Sequence, residues 1–514
     1  MQRFFLTVLL AFVGASALHA AQPKRPNILF IFSDDQNFKT VSCYPNHLPG
    51  VNTPNIDALA KTGVRFSYAY MGSWCMPSRA SLLTGHHPHA IETMTMEGTY
   101  PGSKYDPQVC QFWPKVMREQ GYVTAQIGKW HTGVDSGWGR DWDRQIVWNR
   151  PRHPENAGAY YTGQIVMDDG VEREADGYST DNYSKWAAEF IKGEKRDPEK
   201  PWYLWLCYGA IHGPTTPADR HKGKHKDDEV LIPSDIFGPR PGKPDFLDKT
   251  QAWVKGPDGQ PVAGKSGEAF GDESGRKSKS FEDFVHQSND CVEALDEGIG
   301  AVMAALKESG QLDNTLVIFT ADQGFGMGEH GFRTKLGPWD ATYRSPMIVS
   351  MPSRLPQDKV CGKPVHGVDI VSTILATAEI KEPWEMHGHD LTPLLKDPEN
   401  ANWPHLCLYE HTGRSYGSEV ATMLKEDPTG AVHNNVPWYF AVNDGRWKYI
   451  RYLKAGETEE LYDLQADPEE LTNLADEPAQ EANLKRLREG AIAEMRRTKA
   501  SYVDVLPPTK QMGN

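Results

Sequence analysis

Four short apolar runs stand out along the chain: residues 27–32 (NILFIF), 122–127 (YVTAQI), 202–208 (WYLWLCY) and 316–320 (LVIFT). Runs of this length read as strands buried on both faces. Helical patterns lie between them, for example over 53–62 and 284–309. Strands alternating with helices predict an α/β fold, with a large mixed, mostly parallel sheet sandwiched by helices. Near residue 402 the pattern changes. Residues 438–442 and 446–452 read as antiparallel strands around the turn Asn443-Asp444-Gly445, and a charged helix is predicted over 480–498. A main domain over 21–400 is therefore expected to carry a smaller C-terminal α+β subdomain over 401–514, a short antiparallel sheet plus helix. Within the main domain, 215–280 turns to Lys, Asp, Gly and Pro and reads as a polar surface insertion.

The residues just beyond each apolar run are chemically pointed. Residues 27–32 lead into Ser33-Asp34-Asp35, and 122–127 into Gly128-Lys129-Trp130-His131. Residues 202–208 lead into Gly209-Ala210-Ile211-His212, and 316–320 into Ala321-Asp322-Gln323-Gly324. Ligands of open α/β sheets bind outside the carboxyl ends of the strands, so these four segments imply one shared site. Asp34, Asp35, Asp322 and the amide of Gln323 form an all-oxygen set. Such a set suits a hard cation such as Ca²⁺ or Mg²⁺, whereas zinc prefers nitrogen or sulfur. The plainer reading is that each Asp caps the next helix. Acids at two matching strand ends favour the metal, because crowded carboxylates without a cation repel one another.

Composition narrows the function further. The 514 residues are 39% hydrophobic and 24% charged, as in ordinary globular proteins, and the net charge of −14 excludes nucleic acid as a bulk electrostatic partner. Residues 1–20 carry Arg3, an apolar run over 4–13 and small residues up to Ala20, the pattern of a secretory signal peptide. No later stretch is long enough for a membrane span. The expectation is an exported protein, periplasmic or secreted. Seven cysteines, Cys43, Cys75, Cys110, Cys207, Cys291, Cys361 and Cys407, lie at long irregular spacings that exclude a small disulfide scaffold or a zinc knuckle.

One cysteine has unusual company. In "SWCMPSRASLLTG" Pro77 suits the first turn of a helix, so Cys75 sits where free backbone N–H groups favour an anion. Arg79 lies one turn on, on the same face. The pairing fits a nucleophile for an anionic ester, although a packed free cysteine before a helix reads the same way. The stretch resembles the signature of the formylglycine-dependent (type I) sulfatases of the alkaline-phosphatase-like superfamily. "PNILFIFSDDQ", "GYVTAQIGKWH", "VIFTADQG", "DGRWKYI" and "ELYDLQADPEELTNL" resemble further segments of that family, in its order and over nearly the whole mature chain.

The resemblance implies that Cys75 is oxidised by a formylglycine-generating enzyme to formylglycine, whose hydrate attacks sulfur. It implies that Arg79 holds the hydrate and that Asp34, Asp35, Asp322 and Gln323 bind one Ca²⁺. Lys129 and His212 would contact the sulfate, His212 would also protonate the leaving alcohol, and Lys335 would neutralise the bridging oxygen. His131 would take the second hydroxyl's proton, so that sulfate leaves and the aldehyde returns. Gln323 stands where the family more often has Asn, and Met76 where many members have a small polar residue.

A sulfated carbohydrate is the expected substrate. Over 138–161, Trp138, Trp142, Trp148, Tyr160 and Tyr161 accompany Arg140, Arg144, Arg150 and Arg152, residues able to stack on sugars and pair with anions. A surface loop pinned by tryptophans fits the same residues. His330 could reach substrate or be structural, and His87-Pro88-His89 reads as a loop rather than a metal site. The competing functions are a phosphate or phosphonate monoester hydrolase on the same fold, and a sulfated-glycan-binding protein with Cys75 unconverted.

Overall fold

The computed structural model describes residues 25–98, 102–264 and 280–509. The predicted signal peptide, part of the polar insertion and the last five residues lie outside them.

The alternation of side chains along each central strand builds the fold. In the strand Asn27–Ser33, Ile28, Phe30 and Phe32 enter one buried cluster while Leu29 and Ile31 enter another. Tyr203 and Trp205 against Leu204 and Leu206 divide in the same way in Trp202–Cys207, as do Leu316 and Ile318 against Val317 and Phe319 in Thr315–Ala321. A strand apolar on both sides needs cover on both. The first face is covered by the helices Cys75–Thr84, Trp113–Glu119 and Gly367–Thr377. The second is covered by Pro54–Lys61, Ser179–Ile191 and the 28-residue helix Phe281–Glu308.

The result is a ten-stranded mixed sheet. Its centre is five parallel strands in the order Thr315–Ala321, Asn27–Ser33, Trp202–Cys207, Val123–Trp130, Arg144–Asn149. Antiparallel neighbours, Met347–Ser350 and Gln164–Asp168, extend it on either side. All five central strands end at the same edge of the sheet.

Three expectations are corrected. The second apolar run continues as strand to Trp130, so Lys129 lies within the sheet instead of beyond it. Gly128 makes this possible: with φ 105° it passes so close to the neighbouring strand that a Cβ would lie 1.8 Å from the Cys207 carbonyl oxygen. Residues 138–161 are not a free loop, because Arg144–Asn149 is a sheet strand and Trp142 is fully buried. The described part of the insertion is anchored: Ile236, Ala252 and Trp253 pack with Phe281, Phe284 and Met327, and Phe246 and Leu247 pack with Trp339.

At the C-terminal end, Cys407–His411, Tyr439–Asn443, Trp447–Tyr452 and Glu460–Asp463 form an antiparallel sheet in that order. The helix Glu481–Arg497 covers one face through Leu484, Leu487, Ala491 and Met495. The other face carries Tyr409, Tyr439, Ala441 and Tyr452 and packs against Trp74 and Met76, the residues on either side of Cys75. All seven cysteines are unpaired.

Candidate active site

Cys75 is the first residue of a helix whose ten residues are all buried. Trp74 precedes it with extended backbone, and Gly85 closes the helix in the left-handed conformation. Two contacts fix this helix to the sheet. The Ser78 hydroxyl lies 2.7 Å from the Asp322 carbonyl oxygen, and Arg79 donates to the Lys129 carbonyl at 3.1 Å. Nothing in the sequence assigns Ser78 a role; only the fold reveals that it ties the cysteine helix to an acid-bearing strand.

The structure brings the expected residues together around the thiol. Lys335 Nζ lies 3.0 Å from Cys75 Sγ, Asp34 Oδ1 3.5 Å, Lys129 Nζ 3.7 Å and Gln323 Nε2 3.8 Å. Lys335 also pairs with Asp35 Oδ1 at 2.6 Å, and Lys129 with Asp34 Oδ2. Arg79 bridges two strands, with one nitrogen 3.3 Å from both Asp34 Oδ2 and Asp322 Oδ2, and its guanidinium lies over the Phe32 ring. Asp35 has φ 56°, a conformation uncommon outside glycine, and its N–H donates to Asp322 Oδ1 at 3.0 Å.

The acids converge as a cation site requires. One oxygen from each of Asp34, Asp35 and Asp322 lies within 4.8 Å of the others. The Gln323 carbonyl oxygen is buried with no hydrogen-bond partner. Burial and then the charge of Asp34 push the Asp322 carboxyl up to about 7, against Arg79 and Lys129. Asp34 goes the other way: burial would raise it, but Lys129, His212, Arg79 and Lys335 together hold it well below the usual carboxylate range. An orphaned oxygen and a carboxylate crowded by its neighbours fit a hard divalent cation. Among the described residues, both clusters with metal-ligand spacing include Asp34.

The two histidines sit differently. His212 is half-buried, with Nδ1 2.7 Å from the Gly213 carbonyl and Nε2 3.8 Å from Asp35 Oδ2. Tyr160 donates to the His212 carbonyl at 2.6 Å and so fixes its loop. Burial, then Lys129, pushes the His212 imidazole down to about 3. His131, directly after the strand that carries Lys129, is buried with Nδ1 unpartnered. Burial, then Arg150, Lys129 and Arg79, holds it well below the ordinary histidine range, so it is neutral. His330 is turned away, its ring against Trp339 and Nδ1 2.7 Å from Asp235.

Acids, ammonium groups and an arginine gathered at the carboxyl edge of a parallel sheet define a site of the hydrolase kind, built for an anionic ester. The chain belongs to the sulfatase family: a family model described as Sulfatase matches residues 26–380. A second, described as N-sulphoglucosamine sulphohydrolase, C-terminal, matches 328–498. An N-acetylglucosamine-6-O-sulfatase of Bacteroides thetaiotaomicron is 27% identical, with 91% of this chain and 87% of that protein aligned. A solved structure of a protein in complex with its substrate D-glucosamine-2-N,6-O-disulfate has TM-score 0.78 at 24% identity, covering 94% of this chain and 99% of that one. A phosphonate monoester hydrolase from Silicibacter pomeroyi shares the fold, with TM-score 0.66 at 20% identity over 93% of this chain and 96% of that one.

Proposed function

We propose that this sulfatase is an exported enzyme that removes sulfate from a sulfated carbohydrate, with residue 75 oxidised to formylglycine and one Ca²⁺ held by Asp34, Asp35, Asp322 and Gln323. The observation that carries this reading is Cys75 at a helix start, enclosed by Lys335, Lys129 and Gln323 beside three converging acids. The relatives direct the choice of sugar, and a 6-O-sulfated N-acetylglucosamine is the first substrate to try.

Formylglycine, once formed, supplies a hydrated aldehyde with one hydroxyl to attack sulfur and a second from which sulfate can be released. The cation, when bound, supplies polarisation of oxygen ligands and eases their deprotonation. The remaining roles fall to the chain itself. Arg79, paired with both Asp34 and Asp322, holds its charge one helical turn from residue 75. Burial would lower the Lys335 ammonium, but Asp35, Cys75, Asp34 and Asp322 together outweigh it and the group stays protonated, suited to steady negative charge on the departing oxygen. Lys129 faces the sulfate from within the sheet. His131, neutral and with a free Nδ1, can accept a proton. His212, its Nδ1 facing the Gly213 carbonyl, presents Nε2 towards the leaving group.

The phosphonate hydrolase neighbour makes a phosphoryl ester the second reading. A single oxygen-rich cation site flanked by two lysines favours the singly charged sulfate ester. The test is mass spectrometry of the tryptic peptide 66–79, from protein made in a host that converts such cysteines, alongside sulfate release from sulfated sugars and aryl sulfates. Formylglycine at residue 75 with release from the sugars is expected. Unmodified cysteine in folded protein, or cleavage of phosphonates in preference, sinks the proposal.

A further inference from the structure

Of the four arginines over residues 138–161, three are paired with carboxylates. Arg140 pairs with Asp135 at 2.8 Å and Asp141 at 2.9 Å. Arg144 pairs with Asp168 at 2.5 Å and Asp169 at 2.7 Å, and Arg152 with Glu172 at 3.0 Å. Arg150 has no carboxylate partner among the described residues, and its Nε and Nη1 atoms are buried with no hydrogen-bond acceptor. Single buried nitrogens without acceptors occur also on Arg65, Arg79, Arg344 and Arg451, but among the described arginines only Arg150 has two. Such donors are costly to leave unmet, so they are open to an acceptor that arrives from outside.

The location says which acceptor. Arg150 directly succeeds the strand Arg144–Asn149, and its N–H donates to the Trp130 carbonyl at 2.9 Å, beside His131. Trp148 pairs in register with Lys129. The Lys129 ammonium and the Arg150 guanidinium each lie 5.8 Å from the centre of the Trp148 ring. His131, next to both, also has an unpartnered buried Nδ1. A sulfate ester at residue 75 would already have Lys335, Lys129 and Arg79 beside it, whereas no contact links Arg150 to the Cys75 sulfur. Arg150 therefore stands in a second ring of charge, one tryptophan out from the reacting position.

We propose that Arg150 is a specificity residue that binds a second anionic group of the substrate, a sulfate or a carboxylate, on or next to the sugar that loses its sulfate. The inference rests on the sulfated-carbohydrate reading above. A planar guanidinium with open donors matches two oxygens of either group, while a lysine offers only a point charge.

The experiment compares wild type, Arg150→Gln and Arg150→Lys on three probes: N-acetylglucosamine 6-sulfate, glucosamine 2-N,6-O-disulfate, and a 6-sulfated glucosamine linked to a uronic acid. Wild type should prefer a doubly anionic probe by kcat/KM. In Arg150→Gln that preference should fall about 10–100-fold, mainly through KM, with Arg150→Lys intermediate. Whichever probe shows the loss tells sulfate from carboxylate. The melting temperature of Arg150→Gln should equal or exceed that of wild type, since an unpaired buried charge is removed. Equal losses on all probes, an unchanged preference, or a lower melting temperature overturns the proposal. Calorimetry on protein with Cys75 unconverted separates this inference from the hydrolase reading. If no ester is cleaved but wild type still binds the disulfate more tightly and Arg150→Gln does not, only the hydrolase reading has failed. If esters are cleaved with no preference for a second charge, only the role of Arg150 has failed.

Discussion

Lys335 shows how much one side chain can decide. Its ammonium touches both Cys75 Sγ and Asp35, so it links the proposed reacting position to the proposed cation site. Replacing Lys335 with Ala should lower kcat/KM by roughly 10²–10³-fold, the usual cost of removing one preorganised donor at developing charge. The loss should be larger for a sugar sulfate, whose alkoxide leaves poorly, than for an activated aryl sulfate. Equal losses for both would mean that Lys335 only binds. At this scale, legibility divided by cause. Asp34, Asp35 and Asp322 were readable because apolar strands of fixed length deliver the residues beyond them to one edge. Lys335 stands at the end of no strand, so only the resemblance could place it. Arg150 was indistinguishable from its neighbours, because the acids that satisfy Arg144 and Arg152 return to them only when later strands fold back beside Arg144–Asn149.

Among the elements, the cysteine helix was legible only at its start. Pro77 marked its first turn, but ten buried residues leave no polar face from which periodicity could be read. The loop behind it holds a group of facing histidine rings: His87 lies 4.5 Å from His366 and 5.6 Å from His387, centre to centre. His366 Nδ1 accepts the Val368 N–H at the start of Gly367–Thr377, and His387 Nδ1 accepts the His87 N–H. Both acceptors need neutral rings. Burial, above all, pushes His366 down to about 3 and His387 down to about 2. An unfolded histidine titrates near 6.5, so below that pH the unfolded chain binds protons that the folded chain refuses. The stability that depends on these two rings is complete above about pH 6.5 and falls as pH drops towards 3, by about 1.4 kcal/mol per pH unit for each histidine. Buried Asp369 and Glu470, both pushed up to about 7, act with the opposite sign, so the histidine contribution is read as the difference between wild type and variant in denaturant unfolding between pH 7 and 4. His366→Asn, which keeps a capping acceptor, should reduce the slope by about one proton. An unchanged slope in the variant would place the acid sensitivity elsewhere.

For the molecule as a whole, the layered α/β architecture was legible in the alternating apolar runs, and the C-terminal sheet and helix in the change of pattern near residue 402. What no pattern revealed is where that second sheet goes, because the packing of its tyrosine face on Trp74 and Met76 is a contact between distant parts of the chain. Trp74 donates to the Gly413 carbonyl at 3.2 Å and Ser73 meets His411 at 2.9 Å, so the residues flanking Cys75 complete their surroundings last.

That wall has a timetable. Ser73 and His411 are 338 residues apart, and a chain made at ordinary rates needs roughly 20–70 s to cover such a distance. During that interval the segment 73–79 has left the ribosome without its cover; once the cover arrives, Cys75 is 2% exposed. If residue 75 is converted as proposed, the oxidising enzyme would have to meet its target in the unfinished chain and would be shut out of the finished one. Folded protein carrying unconverted Cys75 should stay unconverted when such an enzyme is added, while a peptide spanning residues 66–85 should be converted under the same conditions. Equal conversion of the two by mass would show that the wall opens readily after synthesis.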